Sequence, residues 1–251
     1  MITSVHNETI LNLSKLHMKK HRDQQLLTLV DGEHLIMEAH KAKVLTHVYG
    51  LKEEPLLHDI PYTQVSENVM RKLCSTTSLS QWVGVVHIIK DNQLSDHVLV
   101  LDGVQDPGNV GTLLRSASAF DFLSVILLPG CADPFSPKAI AASQGALFQC
   151  KIQTLSLEAF KTLLERSPHQ LIVSDVHDAQ RLEDLPSFHQ CMLVLGSEGA
   201  GVSSHVKVLA DHNVRIHTHN VESLNVAMAG SILMHGLFRE KVEKSLKVCH
   251  N

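Results

Sequence analysis

The pattern of apolar and polar positions divides this 251-residue chain near residue 90. Ahead of that point, "ETILNLSKLHMKKHRDQQ" carries Ile10, Leu11, Leu13 and Leu16 at helical spacing beside a basic face. "LLTLVDGEHLIMEAHKAK" reads as a strand, a turn at Asp31-Gly32 and a helix, and "THVYGL" as another strand. "YTQVSENVMRKLCST" holds a helix capped near Ser66, and "GVVHII" from Gly84 is a third strand. Residues 1–90 are therefore expected to form a small α/β domain. The polar stretch at 91–97 suits a linker.

From Val98 to the end, residues 98–251 alternate between two patterns. Continuous apolar runs occur at "VLVLD", "SVILLP", "QLIVSD", "CMLVLG" and "NVRI". Helix-period segments fall between them at "NVGTLLRSASAF", "SPKAIAASQGA", "SLEAFKTLLERS" and "GVSSHVKVLA", and a long helix is predicted from about Ser223 to Lys244. Apolar strands without alternation, separated by helices, are buried on both faces, so the fold class is α/β with a parallel sheet.

Hydrophobic residues make up 44% and charged residues 19%, the profile of a soluble globular protein, and the net charge of -4 excludes nucleic-acid binding by bulk electrostatics. A local basic patch survives that exclusion: Lys15, Lys19, Lys20 and Arg22 face the single acid Glu8 in the first 22 residues. Five scattered cysteines without a C-x-x-C pair suit reduced thiols in a cytoplasm. No signal-peptide pattern and no membrane-length apolar run is present, so a cytoplasmic protein with no membrane partner is expected. The 18 histidines are dispersed, and even His217 and His219 lack further ligands at metal spacing, so no metal is expected.

The stretch "LDGVQDPGNVGTLLRSA" (Leu101 to Ala117) has Gly103 and Gly108 at phosphate-loop spacing. A triphosphate loop needs Lys and then Ser or Thr after its second glycine, and Asn109 and Val110 stand there instead. Glycines at 103, 108 and 111 also miss the G-x-G-x-x-G dinucleotide spacing, which excludes a Rossmann dehydrogenase. Arg115 follows about two turns into the helix, among small residues. A second loop, the glycine turn in "LVLGSEGAGVSS", carries the acid Glu198, and a third loop, in "NVESLNVAMAG", places Ser223 and Asn225 at a helix start. Each loop follows a sheet strand, so all three are expected at the carboxyl edge, where open α/β sheets bind ligands.

Together the three segments resemble the SpoU (TrmH) family of RNA ribose 2′-O-methyltransferases, of the SPOUT superfamily. "DPGNVGTLLRSA", "LVLGSEGAGVS" and "ESLNVAMA" match its three motifs in order, and the resemblance runs from about His97 to Glu240. The opening "ITSVHNETILNLSKLHMKKHR" and "DGEHLIMEA" are similar, more loosely, to the ribosomal-protein-like substrate-recruiting domain of ribosomal-RNA members. The resemblance implies a deep trefoil knot, a homodimer with the site at the subunit interface, and S-adenosylmethionine as cofactor without a metal. By motif position, it puts Leu195, Gly196, Ile216, His217 and Leu224 against the cofactor. It assigns Arg115 to activation of the ribose hydroxyl, from the partner subunit, with Asn109, Glu198, Ser223 and Asn225 as catalytic support. RNA, ribosomal RNA above all, is the implied partner, met by Lys19, Lys20 and Arg22. Where the third motif usually begins Ile-Pro-Met, this chain has Ile216, His217 and Thr218, which removes a rigid turn from the cofactor pocket. The competing readings are a knotted RNA-binding or ribosome-assembly protein without efficient cofactor use, and a transfer-RNA methyltransferase.

Overall fold

Asn7 starts the first helix by accepting the amide hydrogens of Thr9 and Ile10, two of the donors that a helix N-terminus leaves unpaired. In the computed structural model, residues 1–75, 78–175, 179–221 and 223–248 are described, with side chains through Phe238. They fall into two units, residues 1–89 with 133–148, and residues 90–132 with 149 onward.

In the first unit, the opening helical segment is broken. Helix α1 (Glu8–Ser14) passes into a 3-10 turn (Lys15–His17), Met18 is extended, and α2 (Lys19–Gln25) follows. The sequence pattern reads as one helix because the apolar spacing continues across the break, which the backbone of Met18 makes. Strands β1 (Leu27–Asp31), β2 (Leu45–Gly50), β3 (Tyr62–Gln64) and β4 (Trp82–His87) form a sheet in the order β1-β4-β2-β3, with α3 (Glu33–Lys41) and α4 (Glu67–Leu73) between them. Gly32, at φ +93°, makes the turn from β1 into α3. β3, the short parallel edge strand, has too few apolar residues to be read from the sequence.

The second unit begins with residues that read as a linker but are tied to its sheet. Asp91 pairs with Lys151 at 2.7 Å, and Ser95 and Ser124 each donate a backbone N–H to the other's hydroxyl at 2.8 and 3.0 Å. β5 (His97–Asp102) leads to α5 (Pro107–Ala119), capped by Asp106 with Pro107 in its first turn, and then to β6 (Ser124–Leu127). Residues 133–148, which include α6 (Pro137–Ser143), group with the first unit. Back in the second unit come β7 (Lys151–Thr154), α7 (Leu157–Glu165), β8 (Gln170–Ser174), β9 (Gln180–Arg181), β10 (Cys191–Gly196), α8 (Ser204–Lys207), β11 (His212–Arg215) and α9 (Val226–Val248).

The described strands of this unit order as β7-β6-β5-β10-β8-β11-β9, and every pairing is parallel. The central pair, β5 and β10, is buried almost throughout, and Val98, Val100, Ile126, Val173, Met192 and Val194 join Phe160 of α7 in the core. Burying such apolar surface stabilises the sheet by about 25 cal/mol per Å². Parallel alignment points every carboxyl end to one edge, where the loops after β5, β10 and β11 emerge.

Within the first unit, the structure gives Arg22 a different place from the expected RNA surface. Its side chain is only 5% exposed, donates to the carbonyls of Leu16 (2.7 Å) and His17 (2.9 Å), and forms an ion pair with Asp133. The guanidinium closes the break between α1 and α2 and holds the 133–148 segment. It is a packing residue.

Candidate functional site

Asp102 and Gly196 are paired residues at the carboxyl ends of neighbouring strands β5 and β10. Gly103 leaves β5 at φ +72°, and the chain enters α5 four residues later. Asp106 accepts the Asn109 backbone N–H at 3.0 Å, which fixes the first turn of α5 and aims the Asn109 side chain outward.

The loop after β10 is a tight closed turn. Ser197 N–H donates to the Gly201 carbonyl at 3.1 Å, Gly201 N–H returns to the Ser197 carbonyl at 2.9 Å, and Ala200 N–H donates to Ser197 Oγ at 3.2 Å. A Cβ at Gly196 would overlap the Gly201 carbonyl group and the Val202 nitrogen, so glycine is required there. Glu198 stands at the tip of this turn and accepts a hydrogen bond from Asn109 Nδ2.

The third loop runs from β11 to α9. Asn225 caps α9, its Oδ1 accepting from the amides of Ala227 (2.9 Å) and Met228 (3.3 Å), while its Nδ2 donates to Asn109 Oδ1 at 3.1 Å. Asn109 is thus held from both sides of its amide, and the chain Glu198–Asn109–Asn225 ties the three loops together. Ser116 of α5 and Ser231 of α9 share a hydroxyl hydrogen bond of 2.6 Å one to two turns further along.

Three of the expected site residues therefore meet directly: Asn109, Glu198 and Asn225. Arg115, inside α5, is exposed, and no ion pair or hydrogen bond joins its side chain to any described residue. Ser223 and His217 are also exposed, Ile216 and Leu224 are half-buried, and Leu195 is buried at the end of β10. Thr218 donates its hydroxyl to the Val221 carbonyl at 2.7 Å, so a side-chain hydrogen bond closes the turn that follows His217, the residue at the family's usual proline position. The site's chemistry suits an adenosyl group bearing a cation: half-buried Ile216 and Leu224 offer apolar surface, and Glu198 offers a carboxylate. The Cys131 thiol, which donates to the Leu101 carbonyl at 3.1 Å, is pushed up by burial, so it is a protonated thiol near neutral pH. Among the described residues, no cluster of His, Cys, Asp or Glu is placed to hold a metal, and no helix is long and apolar enough to cross a membrane.

Two features escape the sequence reading. Asp102 accepts the Ser203 amide at 2.7 Å, and the only sequence sign of it is an acid placed just before a turn glycine. Lys19, read as a phosphate contact, already faces Asp23 at 2.6 Å, although both groups are exposed and such a pair is weak.

The second unit is a parallel α/β fold in which three loops meet at the carboxyl edge of the sheet. The chain belongs to the SpoU rRNA methylase family, whose pattern matches residues 96–235, and residues 7–84 match the MRM3-like substrate binding domain. It is 30% identical over 243 residues to the 23S rRNA (guanosine(2553)-2′-O)-methyltransferase RlmP of Bacillus subtilis, spanning 94% of this chain and 98% of that one. An uncharacterized tRNA/rRNA methyltransferase of Synechocystis is 34% identical, with 96% and 94% of the two chains aligned. Among solved structures, an RNA 2′-O ribose methyltransferase superposes with a TM-score of 0.77 at 25% identity, over 96% of this chain and 99% of that one. The AdoMet-bound rRNA methyltransferase of Sinorhizobium meliloti shares the fold, with a TM-score of 0.83 at 24% identity over 95% and 97% of the chains.

Proposed function

We propose that this chain transfers a methyl group from S-adenosylmethionine to a ribose 2′-hydroxyl of RNA, with ribosomal RNA as the substrate class. The observation that carries the reading is the Glu198–Asn109–Asn225 chain, which joins all three motif loops at one sheet edge. Leu195, Gly196, Ile216, His217 and Leu224 line the cofactor position, and Ser223 adds a hydroxyl beside it. S-adenosylmethionine, when bound, supplies a methyl group on a cationic sulfur that departs as a neutral thioether.

A ribose hydroxyl is a poor nucleophile until it is deprotonated or strongly hydrogen-bonded, so the protein must align it and stabilise the developing charge. Arg115 performs that role. A guanidinium holds its proton too firmly to serve as a base, so Arg115 acts by stabilising the emerging alkoxide while an RNA phosphate accepts the proton. Asn109 and Glu198 hold the loop geometry around it.

Arg115 acts across a homodimer interface. That no described residue pairs with its side chain supports this, as do Met228 and Ile232, which are 60% and 42% exposed one turn apart on α9. The knot implied by the family resemblance belongs to the same reading. The first unit recruits RNA through exposed Lys19 and Lys20, and the enzyme works in the cytoplasm without a metal. The test is to map 2′-O-methyl positions in total RNA with and without the protein, alongside methyl transfer by the purified protein. Identical maps and no transfer would overturn the proposal.

A further inference from the structure

The turn that displays Glu198 is closed on itself, but closure alone does not aim it. Ser197 and Gly201 fix the turn's internal geometry through their paired backbone hydrogen bonds. Its direction relative to the sheet depends on where the chain is anchored on either side. On the entry side, Gly196 is the last residue of β10 and is held by the strand ladder. On the exit side, Val202 is buried and the next residue, Ser203, begins α8.

Ser203 is a helix N-cap whose own side chain makes no capping hydrogen bond. Its backbone N–H is taken instead by the Asp102 carboxylate at 2.7 Å, from the end of the neighbouring strand. A hydrogen bond to an ionised acceptor is roughly twice as strong as a neutral one, so this is a firm anchor. Asp102 thus pins the exit of the turn to β5, the strand that leads into the Asn109 helix. The turn and Asn109 are both referred to one strand end.

We propose that Asp102 is a positioning residue for methyl transfer: it anchors Ser203 so that Glu198 meets the Asn109 amide. This rests on the methyltransferase reading above. Asp102 acts through Glu198 and touches neither substrate nor cofactor in the proposal.

The test uses the full chain and compares Asp102→Ala, Asp102→Asn and Glu198→Ala, singly and combined, by steady-state methyl transfer. Asp102→Ala should lower kcat by roughly tenfold, the scale of one lost charge-assisted hydrogen bond, with the KM for RNA unchanged. Asp102→Asn keeps an acceptor oxygen for the Ser203 amide and should recover most of the loss. In the Glu198→Ala background, Asp102→Ala should add little, because the group it positions is gone. Additive losses, or an Asp102→Asn no better than Asp102→Ala, would overturn the proposal. The side-chain amide signals of Asn109 in the NMR spectrum supply a readout independent of turnover. They should shift in Asp102→Ala and stay in place in Asp102→Asn; signals unmoved in Asp102→Ala overturn the positioning role. If the wild-type protein transfers no methyl group while Asp102→Ala still moves the Asn109 signals, the methyltransferase reading is overturned and the placement of Glu198 against Asn109 by Asp102 stands.

Discussion

Asn225 reaches across 116 residues of sequence to donate to Asn109 Oδ1 at 3.1 Å, while the other end of its amide caps α9. The two duties can be separated. Asn225→Asp keeps an oxygen that caps the helix but removes the donor to Asn109. It should hold the melting temperature near that of the wild type and cut methyl transfer sharply. Asn225→Ala loses both functions and should also cost about 1 kcal/mol of stability through the missing cap. Thermal melts and methyl-transfer rates on the two variants check this, and equal activity losses without a stability difference would refute the division.

Arg115 offers the opposite case, an exposed residue whose removal costs no packing. Arg115→Ala should change stability by no more than about 0.5 kcal/mol, as surface substitutions do. It should also keep S-adenosylmethionine binding by calorimetry while abolishing methylation of RNA. Arg115→Lys keeps the charge but loses the planar fork, so it should restore only part of the rate. Undiminished transfer by Arg115→Ala would remove the residue from the mechanism.

The parallel sheet was legible in the sequence because a strand buried on both faces writes a continuous apolar run, as in β5 and β10. The long helix was legible too, although it starts at Val226, three residues after the expected Ser223, because Ser223 and Leu224 precede its cap. Short edge strands such as β3 and β9 left no such mark. At the site, Asn109 and Glu198 were legible as polar residues in glycine-rich loops, and Asn225 as a polar residue at a helix start. Their mutual hydrogen bonds were not, since partners more than 80 residues apart follow from strand order and register rather than local pattern. The basic N-terminal segment misled in one respect. Lys19, Lys20 and Arg22 look alike in sequence, yet Arg22 sits where α2 packs inward.

That difference makes a prediction about the first unit. Arg22→Ala takes the ion-pair partner from the Asp133 carboxylate, which is only 15% exposed, and the donor from the Leu16 and His17 carbonyls, and should destabilise the protein by about 3 kcal/mol. Replacing both residues by apolar ones of similar size, as in Arg22→Met with Asp133→Leu, should recover only the part due to the unpaired carboxylate, because the Leu16 and His17 carbonyls still lose their donor. Lys19→Ala and Lys20→Ala should leave stability almost unchanged. Each should lower the slope of log K for single-stranded RNA against log salt by about 0.7, the release expected per phosphate contact. Denaturant unfolding and salt titrations of RNA binding distinguish the two outcomes.

His47 gives the first unit a pH dependence. Its ring nitrogen Nε2 lies 2.9 Å from Thr63 Oγ1, and burial holds its pKa below the ordinary 6.5. The folded state therefore binds a proton less readily than the unfolded chain does. Stability contributed this way is fully present above about 6.5 and is lost as the pH falls from there through the folded value. His47→Gln, which cannot titrate, should flatten the melting temperature between roughly pH 7 and 5 relative to the wild type. An unchanged pH profile in that variant would place the origin elsewhere.

Gly196 is the position where one methyl group has the largest consequence. A Cβ there points into the Gly201 carbonyl and the Val202 nitrogen, which are backbone atoms and cannot rotate away as a side chain could. Gly196→Ala must either push the 197–201 turn off its paired hydrogen bonds or displace the end of β10 from β5. Overpacking of this kind costs about 1–3 kcal/mol, so the sheet should survive while the turn yields. Glu198 then loses its approach to Asn109, and the backbone that lines the proposed cofactor position moves with it. The expected result is a folded protein with a slightly lowered melting temperature and a large loss of S-adenosylmethionine affinity. Gly199→Ala supplies the contrast: its Cβ meets nothing within 4 Å, so affinity and stability should both hold. Calorimetry on the pair decides the matter, because equal affinities would mean that the turn's close approach to β10 plays no part in cofactor binding.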